Sequence, residues 1–204
     1  MCRLSILSFI AGISILMAGP GSASATRLCS TNSLPCSSSY PSGTSVMGQS
    51  PFLHTVVLTN SLSNVTCTGS SFELKTTSSG GGAGTPVTGQ IQAFTLTGCT
   101  TSSGMQCTAA AQFLPWKAEV TGGASGNGVL WINLPAFQIS CGFLLNCSYE
   151  AGTPRPMAIL GGSPANIEAS GWLLTVSTPG CPNEAYFDGQ YEAKSPKPLF
   201  VTTS

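Results

Sequence analysis

The amino-acid sequence predicts an all-β protein: a single-domain antiparallel β-sandwich, an Ig-like or jelly-roll-like two-sheet architecture, stabilised by disulfides. Three observations predict it. Short stretches alternate apolar and polar residues with period two, the mark of half-buried strands. Gly, Pro and Asn punctuate the chain every eight to twelve residues or so, as in many-stranded folds. No sustained 3.6-residue apolar period follows the first 25 residues, and thirteen prolines after Pro20 oppose helices.

Residues 1–25 read as a cleaved signal peptide. Arg3 gives a positive start, and Leu4 to Ala18 are apolar apart from Ser5, Ser8, Gly12 and Ser14. Gly19-Pro20-Gly21 breaks a helix, and Ala23-Ser24-Ala25 is a small-x-small cleavage site. The run is shorter than the roughly 18–20 residues that span a bilayer. No later run approaches that length, so no transmembrane segment is expected in the mature chain. Arg27, two residues before Cys29, excludes a lipobox. Residues 26–52, rich in Ser, Pro and Gly, are expected to form an irregular N-terminal arm, and 53–204 the sandwich domain.

Within that domain Phe72-Glu73-Leu74-Lys75-Thr76 alternates, with Phe72 and Leu74 inward and both charges outward. Trp116-Lys117-Ala118-Glu119-Val120 and Phe137-Gln138-Ile139-Ser140-Cys141 repeat the pattern. Further strands are expected at 54–59, around Phe94 and Leu96, and at 129–134, 166–169, 172–176, 185–192 and 199–202. Asn127-Gly128 reads as a type I′ hairpin turn, and Gly80-Gly81-Gly82-Ala83-Gly84 as a longer connection.

Loss of the leader removes Cys2 and leaves eight cysteines, an even set that in an exported chain favours complete pairing. Eight cysteines allow 105 connectivities. Spacing favours neighbours across short loops: Cys29–Cys36, Cys99–Cys107 and Cys141–Cys147, which leaves Cys67–Cys181. Zinc typically takes C-x2-4-C pairs, and the chain has none, so no metal or other cofactor is expected.

Charged residues are 7% of the chain, against about 25% in typical soluble domains. Without a basic stripe, nucleic acid is excluded as a partner. Catalytic candidates fail one by one. Gly161-Gly162-Ser163-Pro164-Ala165 resembles a nucleophile elbow, but the oxyanion hole needs the N–H of the residue after the serine, and proline lacks one. His54, the only histidine, opens an apolar strand, where a half-buried structural role is expected. Glu73 and Glu119 each share a strand face with a lysine and read as solvated. Glu150, Glu168, Glu184, Asp188 and Glu192 remain as acids from which a glycosidase-type carboxylate pair could be drawn. Neither Gly80–Gly84 nor Gly122–Gly128 is a phosphate cradle, because no Lys-Ser/Thr or helix follows. Trp116, Trp131 and Trp172, with Tyr40, Tyr149, Tyr186 and Tyr191, either fill the core or form a sugar-stacking platform; the core spacing of Trp116 and Trp131 favours filling.

Phe94-Thr95-Leu96-Thr97-Gly98-Cys99 and Leu114-Pro115-Trp116-Lys117-Ala118-Glu119-Val120 resemble segments of a family of secreted, disulfide-bonded proteins of uncharacterised activity from high-GC Gram-positive soil bacteria. Gly162-Ser163-Pro164-Ala165, Cys181-Pro182 and Pro198-Leu199-Phe200-Val201 are similar to later segments of that family. The resemblance implies export and cysteine pairing, and implies no activity. The sequence therefore points to a secreted, non-enzymatic binding or structural module with no catalytic, cofactor or metal residues. Its ligand is extracellular, carbohydrate or a cell-wall component being the candidates. The alternative is a secreted polysaccharide hydrolase. N-terminal sequencing of the exported product is expected to read Thr26 first; a start at Met1 would contradict the leader.

Overall fold

The computed structural model describes residues 25–51, 56–61, 64–123, 125–142, 145–176, 178 and 181–203. The expected signal peptide, apart from Ala25, lies outside the described residues, and so does His54. The described residues form fourteen strands: β1 (Thr26–Cys29), β2 (Ser45–Gln49), β3 (Val56–Asn60), β4 (Asn64–Thr76), β5 (Val87–Thr101), β6 (Gln106–Gln112), β7 (Trp116–Gly122), β8 (Gly128–Ile132), β9 (Ala136–Cys141), β10 (Leu145–Glu150), β11 (Arg155–Leu160), β12 (Asn166–Val176), β13 (Glu184–Ser195) and β14 (Phe200–Thr203).

The all-β, antiparallel, disulfide-bonded class read from the sequence is what is found, and the strand register defines how its two layers meet. β6 and β7 are halves of one long strand interrupted at 113–115. β8 and β9 are likewise interrupted at 133–135, β10 and β11 at 151–154, and β2 and β3 occupy equivalent positions against β4. Each half-strand pairs with the matching half of its neighbour: β6 with β9 and β7 with β8, then β9 with β10 and β8 with β11. β5 and β12 each serve both halves of the neighbouring interrupted strand, and β13 serves both β2 and β3. The hydrogen bonds thus run around a full circle of eight long strands, each neighbour being next in sequence except where the eighth, β13, closes on the first, formed by β2 and β3. The two layers of the expected sandwich are thus joined by hydrogen bonds at both edges, as an up-and-down barrel.

Closure forces irregularity at the waist. The inward phase of β5 passes from Val87, Gly89 and Ile91 to Phe94 and Leu96, then to Cys99, with a register shift against β4 at Glu73/Leu74. In β12 the shift falls between Ala169 and Trp172, where Gly171 has φ +58° and donates its N–H to Asp188 Oδ1 at 2.7 Å. Such bulges re-aim side chains while keeping the ladder closed. The space between the layers is filled by rings. Phe94 lies 5.7 Å from Trp116, 5.5 Å from Phe137, 5.9 Å from Phe187 and 6.1 Å from Tyr191, centroid to centroid. Most of these contacts are edge-on, the geometry ring quadrupoles favour. At this level the barrel interior is a packed core.

β1 and β14 pair with each other and form a ribbon across one mouth of the barrel. Gly81 N–H donates to Thr26 O at 3.1 Å, Gly122 N–H to Thr26 Oγ1 at 3.1 Å, and Val201 N–H to Gly126 O at 2.8 Å. The ribbon is therefore stitched to the β4–β5 and β7–β8 turns, and Leu28, Leu199 and Val201 are buried. Gly80, φ +65°, passes so close to Thr26 O that a Cβ would collide with it, which is why this turn needs glycine.

Residues 26–52, expected as an irregular arm, thus contribute two strands, and β2 is part of the barrel wall. The Asn127-Gly128 hairpin exists, but the positive φ values fall on Ser125 and Gly126; Asn127 closes the turn through its carbonyl, which accepts from Gly123 N–H at 2.8 Å.

The disulfides are Cys29–Cys36, Cys67–Cys99, Cys107–Cys141 and Cys147–Cys181. Cys29–Cys36 is as expected; Cys99–Cys107, Cys141–Cys147 and Cys67–Cys181 are corrected. Cys67, Cys99, Cys107 and Cys141 stand in one lateral row across β4, β5, β6 and β9. Cys99 and Cys107 are neighbours in that row, but each bonds the cysteine on its other side. Cys147 lies opposite Ile139 and not Cys141, and it ties β10 to the β12–β13 connection. These three bridges gather at the mouth opposite the ribbon.

Peptide mapping without reduction is expected to recover these four pairs. Replacing Cys107 and Cys141 together by serine should cost about 3–4 kcal/mol in denaturant unfolding, from a closed loop of 34 residues. Burial pushes the hydroxyls of Tyr191 and Tyr149 above the ordinary phenol value of 10.0. The unfolded chain therefore loses these protons first, so stability is full below about pH 10 and falls as pH rises further. Tyr191→Phe should make that alkaline decline shallower, read by denaturant unfolding from pH 8 to 12.

Candidate functional site

In β8, Leu130 and Ile132 point inward, so Trp131 between them must point out; it is 40% exposed. Two lateral rows on the outer wall meet at it. Register sets Thr88, Glu119 and Trp131 side by side across β5, β7 and β8. One step along, Gln90 lies beside Lys117, and Asn133 N–H donates to Lys117 O at 2.8 Å. With Thr77 on one flank and Pro154 on the other, these residues line a groove of about 400 Å³.

The indole is anchored at its edge, Nε1–H donating to Thr121 Oγ1 at 3.3 Å, which leaves part of the ring toward the groove. Thr77 and Thr88 hydroxyls bond each other at 2.9 Å. The side chains of Lys117, Glu119 and Asn133 are exposed and make no hydrogen bond or ion pair among the described residues. The groove thus offers an aromatic ring, two primary amides, hydroxyls, one cation and one anion, the donors and acceptors of a polar ligand site.

The other aromatics separate by environment. Trp116 and Trp172 are core, their Nε1–H groups donating to Gln112 O at 2.7 Å and Pro156 O at 2.6 Å. Tyr149 and Tyr191 are buried, and Tyr40 donates its hydroxyl to Pro198 O at 2.6 Å. Tyr186 is exposed. Of the proposed platform, only Trp131 and Tyr186 face solvent substantially, and they are on different walls.

The acids spread over the surface. Glu150 ends β10, Asp188 caps the β12 bulge, and Glu184 accepts from the Tyr186 hydroxyl at 3.3 Å. Glu168 and Glu192 line one shallow depression of about 320 Å³, but Glu192 is held by Lys194 at 2.8 Å. A glycosidase acid needs a carboxyl shielded from charge and water, and this pair sits on the outer wall beside an ammonium. Among the described residues no group of three or more His, Cys, Asp or Glu could hold a metal ion, and Ser163 lies in the turn between β11 and β12.

Sequence reasoning set Lys117 and Glu119 aside as a solvated face and did not consider Gln90, Asn133 or Thr77. The outward phase of Trp131 between two inward aliphatics was the available signal.

The molecule is thus defined as a disulfide-bonded, closed antiparallel β-barrel with a polar-aromatic groove on its outer wall. Four disulfides mark a protein of an oxidising, non-cytoplasmic compartment, and no helix among the described residues is long and apolar enough to cross a membrane. No family model, curated protein or solved structure matches the chain.

Proposed function

We propose that the protein is a secreted, non-enzymatic binding module whose ligand is a neutral oligosaccharide, held in the Trp131 groove. The exposed, edge-anchored indole carries this reading. A pyranose has an apolar C–H face and a rim of hydroxyls that both donate and accept. An aromatic ring covers the first, and amide, carboxylate and hydroxyl groups satisfy the second. Lys117 and Glu119 stand two residues apart on the same face, so the groove has no net charge with which to attract an ionic ligand. The leader read from the sequence and the four disulfides support export. The chain's low charge fits recognition by hydrogen bonding and stacking instead of electrostatic steering.

Soluble hexasaccharides of glucose, xylose, mannose and N-acetylglucosamine serve as probes. At least one is expected to raise the melting temperature and to change tryptophan fluorescence without being shortened. Trp131→Ala should weaken binding at least tenfold, about 1.4 kcal/mol, while leaving the melting temperature of the unliganded protein nearly unchanged, as suits an exposed side chain. Equal binding by Trp131→Ala, or no binding by any probe, would overturn the proposal; release of shorter sugars would favour the hydrolase.

A further inference from the structure

A second depression, of about 460 Å³, lies on the wall formed by β3 and the first half of β13. Thr59, Asn60, Ser61, Asn183, Glu184 and Tyr186 line it. It shares with the Trp131 groove one exposed aromatic, two primary amides, hydroxyls and a single carboxylate, and differs in having no cation beside that carboxylate. Tyr186 is 41% exposed, and its hydroxyl donates to Glu184 Oε2 at 3.3 Å, which fixes the ring on the wall as Thr121 fixes the indole. The strand alternation is also the same, with Ala185 and Phe187 buried on either side of Tyr186.

The relative placement follows from the closed circle of strands. β7 and β8 occupy the fourth and fifth of the eight long-strand positions, and β3 and β13 the first and eighth. Four steps around a ring of eight is the opposite side. The two depressions also lie toward different mouths, since Thr77 adjoins the ribbon end and Ser61 and Asn183 adjoin the disulfide end. One short ligand therefore cannot reach both.

We propose that the Tyr186 depression is a second binding site for the same neutral glycan, and that the two opposed sites make the protein a cross-bridge between separate glycan chains. The inference rests on the carbohydrate reading of the Trp131 groove and extends it from a one-site module to a bivalent one. Two sites on a rigid barrel that cannot both engage one short sugar can still gather two strands of a polymer, and the second attachment strengthens the whole without new contacts.

Isothermal titration with the four hexasaccharides, and light scattering with the soluble polysaccharide of each sugar, test this on the exported protein, its Trp131→Ala and Tyr186→Ala variants and the double variant. The expected result is two hexasaccharides per chain for the unaltered protein, one for each single variant and none for the double. Only the unaltered protein should raise the scattering of the polysaccharide. One hexasaccharide per chain, abolished by Trp131→Ala and unaffected by Tyr186→Ala, would overturn the cross-bridge and leave the carbohydrate reading standing. Binding unaffected by Trp131→Ala, or absent with every probe, would overturn both. Both side chains are exposed, so unchanged melting temperatures will show that lost binding is not lost folding.

Discussion

Filling a closed barrel with large rings is the constraint on which the rest of this structure depends. An eight-stranded circle has an interior just wide enough for side chains, and here Phe94 occupies its waist, in contact with Phe72, Trp116, Phe137, Phe187 and Tyr191. Straight strands could not keep every inward position aimed at that point while the ladder remains continuous. The wall yields where it crosses the waist. β5 and β12 bulge, and four long strands are split into halves, three of them around Phe113, Leu134 and Gly152 and the fourth between β2 and β3. Phe113 and Leu134 adopt positive φ at these breaks, +59° and +46°, conformations that only surrounding structure can impose on such side chains. The two mouths are then held by different means, one by a peptide ribbon and the other by three disulfides.

Much of this was legible in single stretches of sequence. The alternation of Phe72 with Leu74, of Trp116 with Ala118 and Val120, and of Phe137 with Ile139 gives strand, face and core membership directly, because period two needs no partner to be read. Register between strands leaves no such mark. The closing of β13 onto β2 and β3, and the lateral row of cysteines, come from how far each strand slides past the next. Cysteine spacing alone therefore misled: Cys141 and Cys147 are close in the chain but two positions out of register, while Cys107 finds its partner 34 residues away. The waist breaks were equally hidden, since 129–134 and 137–141 read as two separate short strands and not as halves of one long strand.

The candidate site shows the same division. Trp131 lies out of phase with Leu130 and Ile132, so its exposure could be read locally. Its companions come from β5, β7 and the breaks at Asn133 and Pro154, brought together only by lateral register. Lys117 and Glu119, which look like solvated charges on one strand, become the floor of a groove once Gln90 and Trp131 stand beside them.

The closure described by the strand register also bears on aggregation. A sheet with open edges presents unpaired N–H and C=O groups, and proteins commonly guard such edges with lysine, inward charge or proline. In the barrel each long strand has a hydrogen-bonded neighbour on both sides, and the ribbon strands are bonded to the turns around one mouth. With its long strands paired on both sides, the barrel wall has little need of gatekeeping charge. A wall in which charged residues are so scarce is then compatible with remaining dispersed, and its neutral hydroxyls and amides are left for contacts that a densely charged surface would compete against.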